Sequence, residues 1–257
     1  MKIAALLKQV PDTETKIRIK ADASGIEESD IKYIVNPYCE FAVEEAIKTR
    51  EKNPGSEAVA ISLGPDRAVE AIRTALAMGM DKGIHIQHTG GWLDSFSVAT
   101  VLAKVIGQNN FDVIFCGKQA IDEDAGQTAQ MIAEILNIPQ VMVIEKFELK
   151  DAKTAVVTRR VSGGAKEIYE TPLPILVGCE KGLNTPRYAS LPGIMKAKTK
   201  PVQKLLSTDL LAGSQSLVQF VNYQLPPERK AGKKLDGEPA QQAKELARLL
   251  REEAKVI

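Results

Sequence analysis

The sequence predicts an α/β fold: a mostly parallel sheet with helices on both faces, an appended β-hairpin and a C-terminal helical arm. Three observations carry that expectation. Short apolar runs alternate with helix-length amphipathic segments from Ala58 to Leu136, the rhythm of a parallel sheet. The first run, Ile3 to Leu7, is continuously apolar, as a strand buried on both faces must be. The texture then changes twice, at Gln140 and again at the Pro226-Pro227 pair.

Taken in order, Ile3 to Leu7 is the first strand and Pro11-Asp12-Thr13 ends it. Lys16 to Lys20 alternates strictly, as a half-exposed strand would, and Asp22-Ala23-Ser24-Gly25 supplies a turn. Asn36-Pro37 opens a helix through Arg50, with Phe41, Ala42, Ala46 and Ile47 at helical spacing. Ala58 to Ser62 reads as a strand, Pro65 to Met78 as a helix and Gly83 to Ile86 as a strand. Leu93 to Ile106 is a helix, Val113 to Cys116 a strand and Asp124 to Leu136 a helix. Val141 to Leu149 and Thr154 to Val161, separated by Lys150 to Lys153, read as the hairpin, and Pro174 to Val177 as another buried strand. Asn184 to Lys200 shows neither period and holds Pro186, Pro192 and Gly193, so a long structured loop is expected there. Gln224 to Arg229 is an extended linker, Lys230 to Lys234 is basic, and Pro239 sits in the first turn of a final helix to Lys255. The apolar stripe of that helix, Ala243, Leu246, Ala247, Leu249 and Leu250, must be buried on its own domain or on a partner.

Lys and Arg total 34 against 33 for Asp and Glu, a formal charge of +1, which gives no reason to expect nucleic acid or an anionic membrane. Cys39, Cys116 and Cys179 are scattered and unpaired in spacing, which suits a reducing compartment. The N-terminus opens directly on a strand-like run, without the features of a signal or transit peptide, and a bacterial cytoplasm is the expected location. His85 and His88 lie near a strand end, but no acidic or cysteine ligand is close in sequence, so no metal site is expected.

No G-x-G-x-x-G follows the first strand, and neither a Walker A loop nor a G-x-S-x-G elbow is present, which disfavours a freestanding enzyme. The most informative segment runs from Cys116 to Thr128, off a strand's carboxyl end into a helix. Asp122 or Asp124 is placed to cap that helix, Gly126 permits close backbone approach and Thr128 offers a hydroxyl to a phosphate. The acidic run argues the other way, because carboxylates repel a phosphate unless they point outward or bind sugar hydroxyls. A capped helix with an acidic first turn is the plainer alternative. Asn36-Pro37-Tyr38-Cys39 and Leu63-Gly64-Pro65 share the same rim, the first with an amide able to read a purine edge or simply to turn into a helix.

These segments together resemble the electron-transfer flavoprotein β subunit. The stretches that carry the likeness begin at Asn36 (NPYCEFAVEEA), Arg73 (RTALAMG), Gly117 (GKQAIDED) and Leu183 (LNTPRYASLPGIMKAK). It extends from Lys2 to the C-terminal helix. The resemblance implies a Rossmann-like domain over residues 1–222, and a linker and helix over 223–257 that pack on an α-subunit partner. It implies a structural AMP at Leu6, Asn36, Pro37, Tyr38, Cys39, Leu63 and the turn Gln119, Ala120, Ile121, Asp122, Glu123, Asp124, Ala125, Gly126, Gln127, Thr128, Ala129 and Gln130. The FAD that carries electrons would be held mainly by the α subunit, with Pro11 to Thr13 approaching it; this chain has Thr13 where some members carry an aromatic residue.

The loop Arg187, Tyr188, Ala189, Ser190, Leu191, Pro192, Gly193, Ile194, Met195 and Lys196 resembles the family's docking loop, in which the leucine enters an apolar pocket on acyl-CoA dehydrogenases. Lys196, Lys198 and Lys200 would form its electrostatic rim. The implied role is outer-sphere electron transfer from flavin dehydrogenases to FAD and on to a membrane quinone oxidoreductase, with no catalytic residue in this chain. Two alternatives are compatible with the sequence: a bifurcating branch with a second FAD in place of AMP, which Lys8 to Thr13 resembles, and a nucleotide-binding module without redox function.

Overall fold

The computed structural model describes residues 1–211, 216–228 and 231–257. Strands β1 (Lys2–Leu7), β2 (Gln9–Pro11) and β3 (Tyr33–Val35) precede helix α1 (Pro37–Lys52). Then β4 (Glu57–Gly64), α2 (Val69–Met78), β5 (Lys82–Gln87), α3 (Ser95–Asn109), β6 (Val113–Gly117) and α4 (Thr128–Leu136) alternate. Next come β7 (Gln140–Leu149), β8 (Thr154–Arg160), β9 (Lys166–Pro172) and β10 (Ile175–Cys179). The chain continues through α5 (Leu191–Ala197), β11 (Val202–Leu206), α6 (Ser207–Leu211) and α7 (Pro239–Glu252).

The main sheet has the order β11-β5-β4-β1-β6-β10-β7-β8-β9. From β11 to β7 every pairing is parallel, whereas β7-β8 and β8-β9 are antiparallel. Its inner strands are apolar on both faces because helices cover both. Ile3, Ile47, Ile72 and Phe115 belong to the core under α1 and α2, and Phe115 meets Phe147 edge-on at 5.0 Å. Ile61, Ile86, Val105, Ile114 and Ile132 belong to the core under α3 and α4. Each such side chain contributes about 1.5–3 kcal/mol on burial. Asn110 and Asn137 end α3 and α4 in the left-handed conformation, which asparagine tolerates better than most residues.

After β1 the chain builds leftward through β4 and β5, then returns to place β6 on the other side of β1. The order reverses there, so the crevice beyond the carboxyl ends of β1 and β6 is where an open parallel sheet takes its ligand.

Several elements differ from the sequence expectation. Lys16 to Lys20 keeps its alternating exposure but forms only an isolated antiparallel bridge, Ile19 to Ile26, because no sheet lies alongside to extend it. The excursion is closed by a short antiparallel β2-β3 ribbon, which the sequence pattern does not predict. The expected hairpin is a three-stranded meander, with β9 added. The helix expected from Asp124 starts at Thr128, and the stretch expected to be a loop to Lys200 contains α5. Asp66–Ala68 is a short 3₁₀ turn ahead of α2. The linker residue Arg229 and the basic residue Lys230 lie outside the described residues. Helix α7 buries none of its residues; of its stripe Ala243, Leu246 and Ala247 are exposed and Leu249 and Leu250 half-buried.

Candidate functional site

The loop from Lys118 to Gln127 leaves β6 at the crevice, and α1 begins beside it. Gly117 makes that proximity possible: a Cβ there would lie 2.8 Å from Tyr38 Cβ and 2.9 Å from the Tyr38 carbonyl carbon. Asn36, 1% exposed, ties the two together. Its Nδ2 donates to Gln119 O at 2.9 Å and to Cys39 Sγ at 3.2 Å, and its Oδ1 accepts from Ile121 N at 3.2 Å. Both amide hydrogens are thus used within the chain, and Asn36 holds the loop against the start of α1.

The acidic run behaves differently from the capping expectation. Neither Asp122 nor Asp124 caps α4; the residue at the cap is Gln127, without a side-chain bond. Asp124 and Gly126 have φ of 50° and 56°, a left-handed pair that a helix cannot contain. Asp122 and Glu123 turn to Lys8 Nζ at 2.9 and 3.3 Å, and Asp124 Oδ1 accepts from Gln119 Nε2 at 2.7 Å.

What this leaves at the crevice is backbone. The N–H groups from Ala125 to Gln130 have no hydrogen-bond acceptor among the described residues, while Met131 N begins the helical bonding to Gln127 O. Successive free N–H groups around left-handed residues, ending in a helix N-terminus, form a concavity suited to an anion. Thr128 stands in its first turn, half-buried, with Ala129 buried beneath. Leu6, Leu63 and Cys116 belong to the α3 and α4 side of the sheet near the same strand ends. Thr13 is exposed beyond β2, next to Asp12, which pairs with Lys32 at 2.8 Å. Burial raises the thiols of Cys39, Cys116 and Cys179 above their usual range, which leaves them unreactive.

The second surface lies at α5. Asn184 Nδ2 donates to Phe41 O and Glu45 Oε2, both at 2.9 Å. Arg187 grips α1 more firmly: Nε and Nη2 reach the two oxygens of buried Glu44 at 2.9 and 3.0 Å, and Nη1 reaches Glu51 Oε1 at 2.7 Å. Its neighbours raise the Arg187 pKa and lower that of Glu51, chiefly through these hydrogen bonds. Arg187 therefore holds the loop, and does not stand free for a partner. Beyond it Tyr188 is 99% and Leu191 80% exposed, with Ile194 and Met195 exposed beside them. Ser190 caps α5 by accepting from Gly193 N at 3.1 Å. A Cβ at Gly193 would fall 2.4 Å from Ala77 O, so glycine lets α5 rest on α2. Lys200 is not part of an electrostatic rim, because its Nζ donates to Leu76 O at 3.0 Å and to Met80 O; Lys196 and Lys198 are exposed.

The histidines are used structurally. His85 Nε2 lies 3.2 Å from both Gly64 O and Pro65 O, and His88 bonds Ser207 Oγ and Gly91 O. No cluster of metal ligands occurs among the described residues, and no helix among them is long and apolar enough to cross a membrane.

A parallel α/β sheet with an N–H-lined crevice at its switch point, a separate exposed apolar loop and a terminal helix without buried residues are the features that this fold combines. The family model of the electron transfer flavoprotein domain matches residues 24–210. A Bacillus subtilis protein named electron transfer flavoprotein subunit beta is 43% identical over 262 residues, covering 100% of both chains. A mitochondrial protein of that name from Arabidopsis thaliana is 42% identical over 233 residues, 90% of this chain and 92% of its own length. The Mus musculus protein is 42% identical over 233 residues, 90% and 91% respectively. The chain belongs to the electron transfer flavoprotein family and resembles its β subunits throughout.

Proposed function

We propose that this chain works as the β subunit of a heterodimer that accepts electrons from flavin dehydrogenases, such as acyl-CoA dehydrogenases, and delivers them through FAD to a membrane quinone reductase. The observation that carries the reading is the run of free N–H groups from Ala125 to Gln130 at the switch-point crevice. That run suits the phosphate of a structural AMP, with the Thr128 hydroxyl as a further donor. Lys8 pairs with Asp122 and Glu123, which offsets part of the repulsion an acidic run would otherwise exert.

The α partner would hold most of the FAD, which supplies the electron-carrying chemistry when bound. This chain's share is positional: Leu191 anchors a dehydrogenase, Arg187 and Asn184 keep the loop in place on α1, and the linker and helix over residues 223–257 engage the α subunit. The helix stripe, none of it buried by its own chain among the described residues, supports that last assignment.

Co-expression with the α-subunit gene product, heat release of bound small molecules and absorbance of the supernatant test the reading. One flavin and one AMP per heterodimer are expected. Two flavins would replace the AMP assignment with the bifurcating one, and a stable flavin-free monomer would refute the redox role. Leu191→Ala should lower kcat/KM for electron uptake by about tenfold, the scale of losing an interface anchor.

A further inference from the structure

The loop between β5 and α3 makes contacts that neither the nucleotide rim nor the docking loop needs. Its last residue, Asp94, is 3% exposed. Oδ1 accepts from Ser97 N at 2.8 Å and so caps α3. Oδ2 accepts from two residues far along the chain, Leu217 N at 2.6 Å and Val218 N at 3.1 Å. The Asp94 N–H donates in turn to Ser216 Oγ at 3.1 Å. Burial works to raise the pKa of this carboxyl, but the bonds from Ser97, Leu217 and Val218 prevail and hold it low, so the clamp is charged.

An aromatic contact continues the clamp. Trp92 meets Phe220 edge-on with centroids 4.5 Å apart, and Phe220 meets Tyr223 at 6.1 Å. Tyr223 N donates to Ala23 O at 3.0 Å, and Trp92 Nε1 donates to Glu123 Oε1 at 3.2 Å. His88 braces the loop from behind through Gly91 O and Ser207 Oγ. Residues 216–223 are thus fastened to the α/β body, whereas α7 further on buries nothing.

We propose that Asp94 is the positioning residue that roots the C-terminal arm: by fixing residues 216–218 it sets the place from which α7 reaches the partner chain. This rests on the arm assignment made under Proposed function. An ordered root lowers the conformational entropy lost when the helix docks. Releasing residues 216–223 lengthens the free chain ahead of Pro239 about one and a half times, which lowers the effective concentration of the helix by about twofold through length alone.

Asp94→Asn separates the two tasks of the carboxylate. The amide keeps one oxygen to cap α3 but turns an NH₂ toward the Leu217 and Val218 N–H groups. Leu217→Pro is the complementary change, since it removes the closer donor and leaves Asp94 and its cap intact; the Leu217 side chain is itself exposed. The full-length variants are compared alone and with the α subunit. Trp92 is the sole tryptophan, so its emission reports the Phe220 contact directly.

Both variants should shift Trp92 emission to the red, increase its quenching by acrylamide and speed dissociation of the α subunit by about twofold. A third variant, Leu246→Glu with Leu250→Glu on the bare stripe, tests the arm itself. Dissociation unchanged in both clamp variants but faster in the stripe variant would overturn the rooting and leave the arm assignment standing. Dissociation unchanged in all three would overturn the arm assignment and the rooting with it. Unshifted Trp92 emission in both clamp variants would also overturn the rooting.

Discussion

The Asn36 amide can be tested by a change of one functional group, Asn36→Asp. In the native chain Nδ2 is 2.9 Å from Gln119 O, and Oδ1 receives the Ile121 N–H. Replacing Nδ2 with oxygen sets two acceptors against each other in a buried place and strips Gln119 O of its donor. An unpaired buried polar group costs about 1–3 kcal/mol, so the pair of losses should amount to about 2–4 kcal/mol at neutral pH. For a chain of this length that lowers Tm by roughly 5–15 °C. The introduced carboxyl can donate to Gln119 O only when protonated, so its folded-state pKa lies above the unfolded value of about 3.9. The folded state then binds the proton more tightly, and the deficit is smallest below about pH 4 and grows as pH rises to the folded pKa. Asn36→Ala also removes the tie, but its deficit should not depend on pH in this way. Thermal unfolding followed by circular dichroism from about pH 4 to pH 7.5 measures both. A deficit in Asn36→Asp that is absent at neutral pH, or equal across the range, would refute the assigned hydrogen bonds.

Two glycines give further checks. Gly117→Ala pushes a methyl group against the backbone of α1 at Tyr38 and should cost about 1–3 kcal/mol, read as a lower denaturant midpoint, with weaker AMP binding by calorimetry. Gly91→Ala, where a Cβ meets nothing within 4 Å, is the matched control and should be near neutral. Gly193→Ala drives a methyl group onto Ala77 O and should displace α5, lowering electron uptake from dehydrogenases while AMP content, measured after heat release, stays at the wild-type level.

The inner sheet was legible because burial on both faces leaves no room for polar residues: β1, β4, β6 and β10 each read as an apolar run. The edge strands carried no such signal. β9 is exposed at all but Thr171, so Lys166 to Pro172 has no reason to alternate or to be apolar. β2 and β3 are three residues each, too short for a period to register. Helix α5 holds Pro192 and Gly193 within seven residues, and its helical state depends on packing against α2 and the Ser190 cap rather than on propensity. In sequence Arg187 belongs to the stretch that resembles the family's docking loop. Only the fold brings it to Glu44 and Glu51, which share one face of α1 but lie far away in sequence.

The acidic run shows why the site itself was harder to read than the sheet. Asp and Glu near a helix start are favoured by the macrodipole, so Asp122 to Asp124 looked like the first turn of α4. The left-handed pair at Asp124 and Gly126 moves the helix start to Thr128 and leaves the carboxylates on a preceding turn, where Lys8 and Gln119 receive them. That displacement has a chemical consequence. A helix starting at Asp124 and capped by an acid would have satisfied some of its first N–H groups from its own side chains. With the start deferred and the cap position at Gln127 making no side-chain bond, six consecutive N–H groups from Ala125 to Gln130 remain available at the switch point. The free N–H groups of this crevice therefore come from backbone conformation, which residue types alone do not display, and the acids beside it serve to hold the turn in shape.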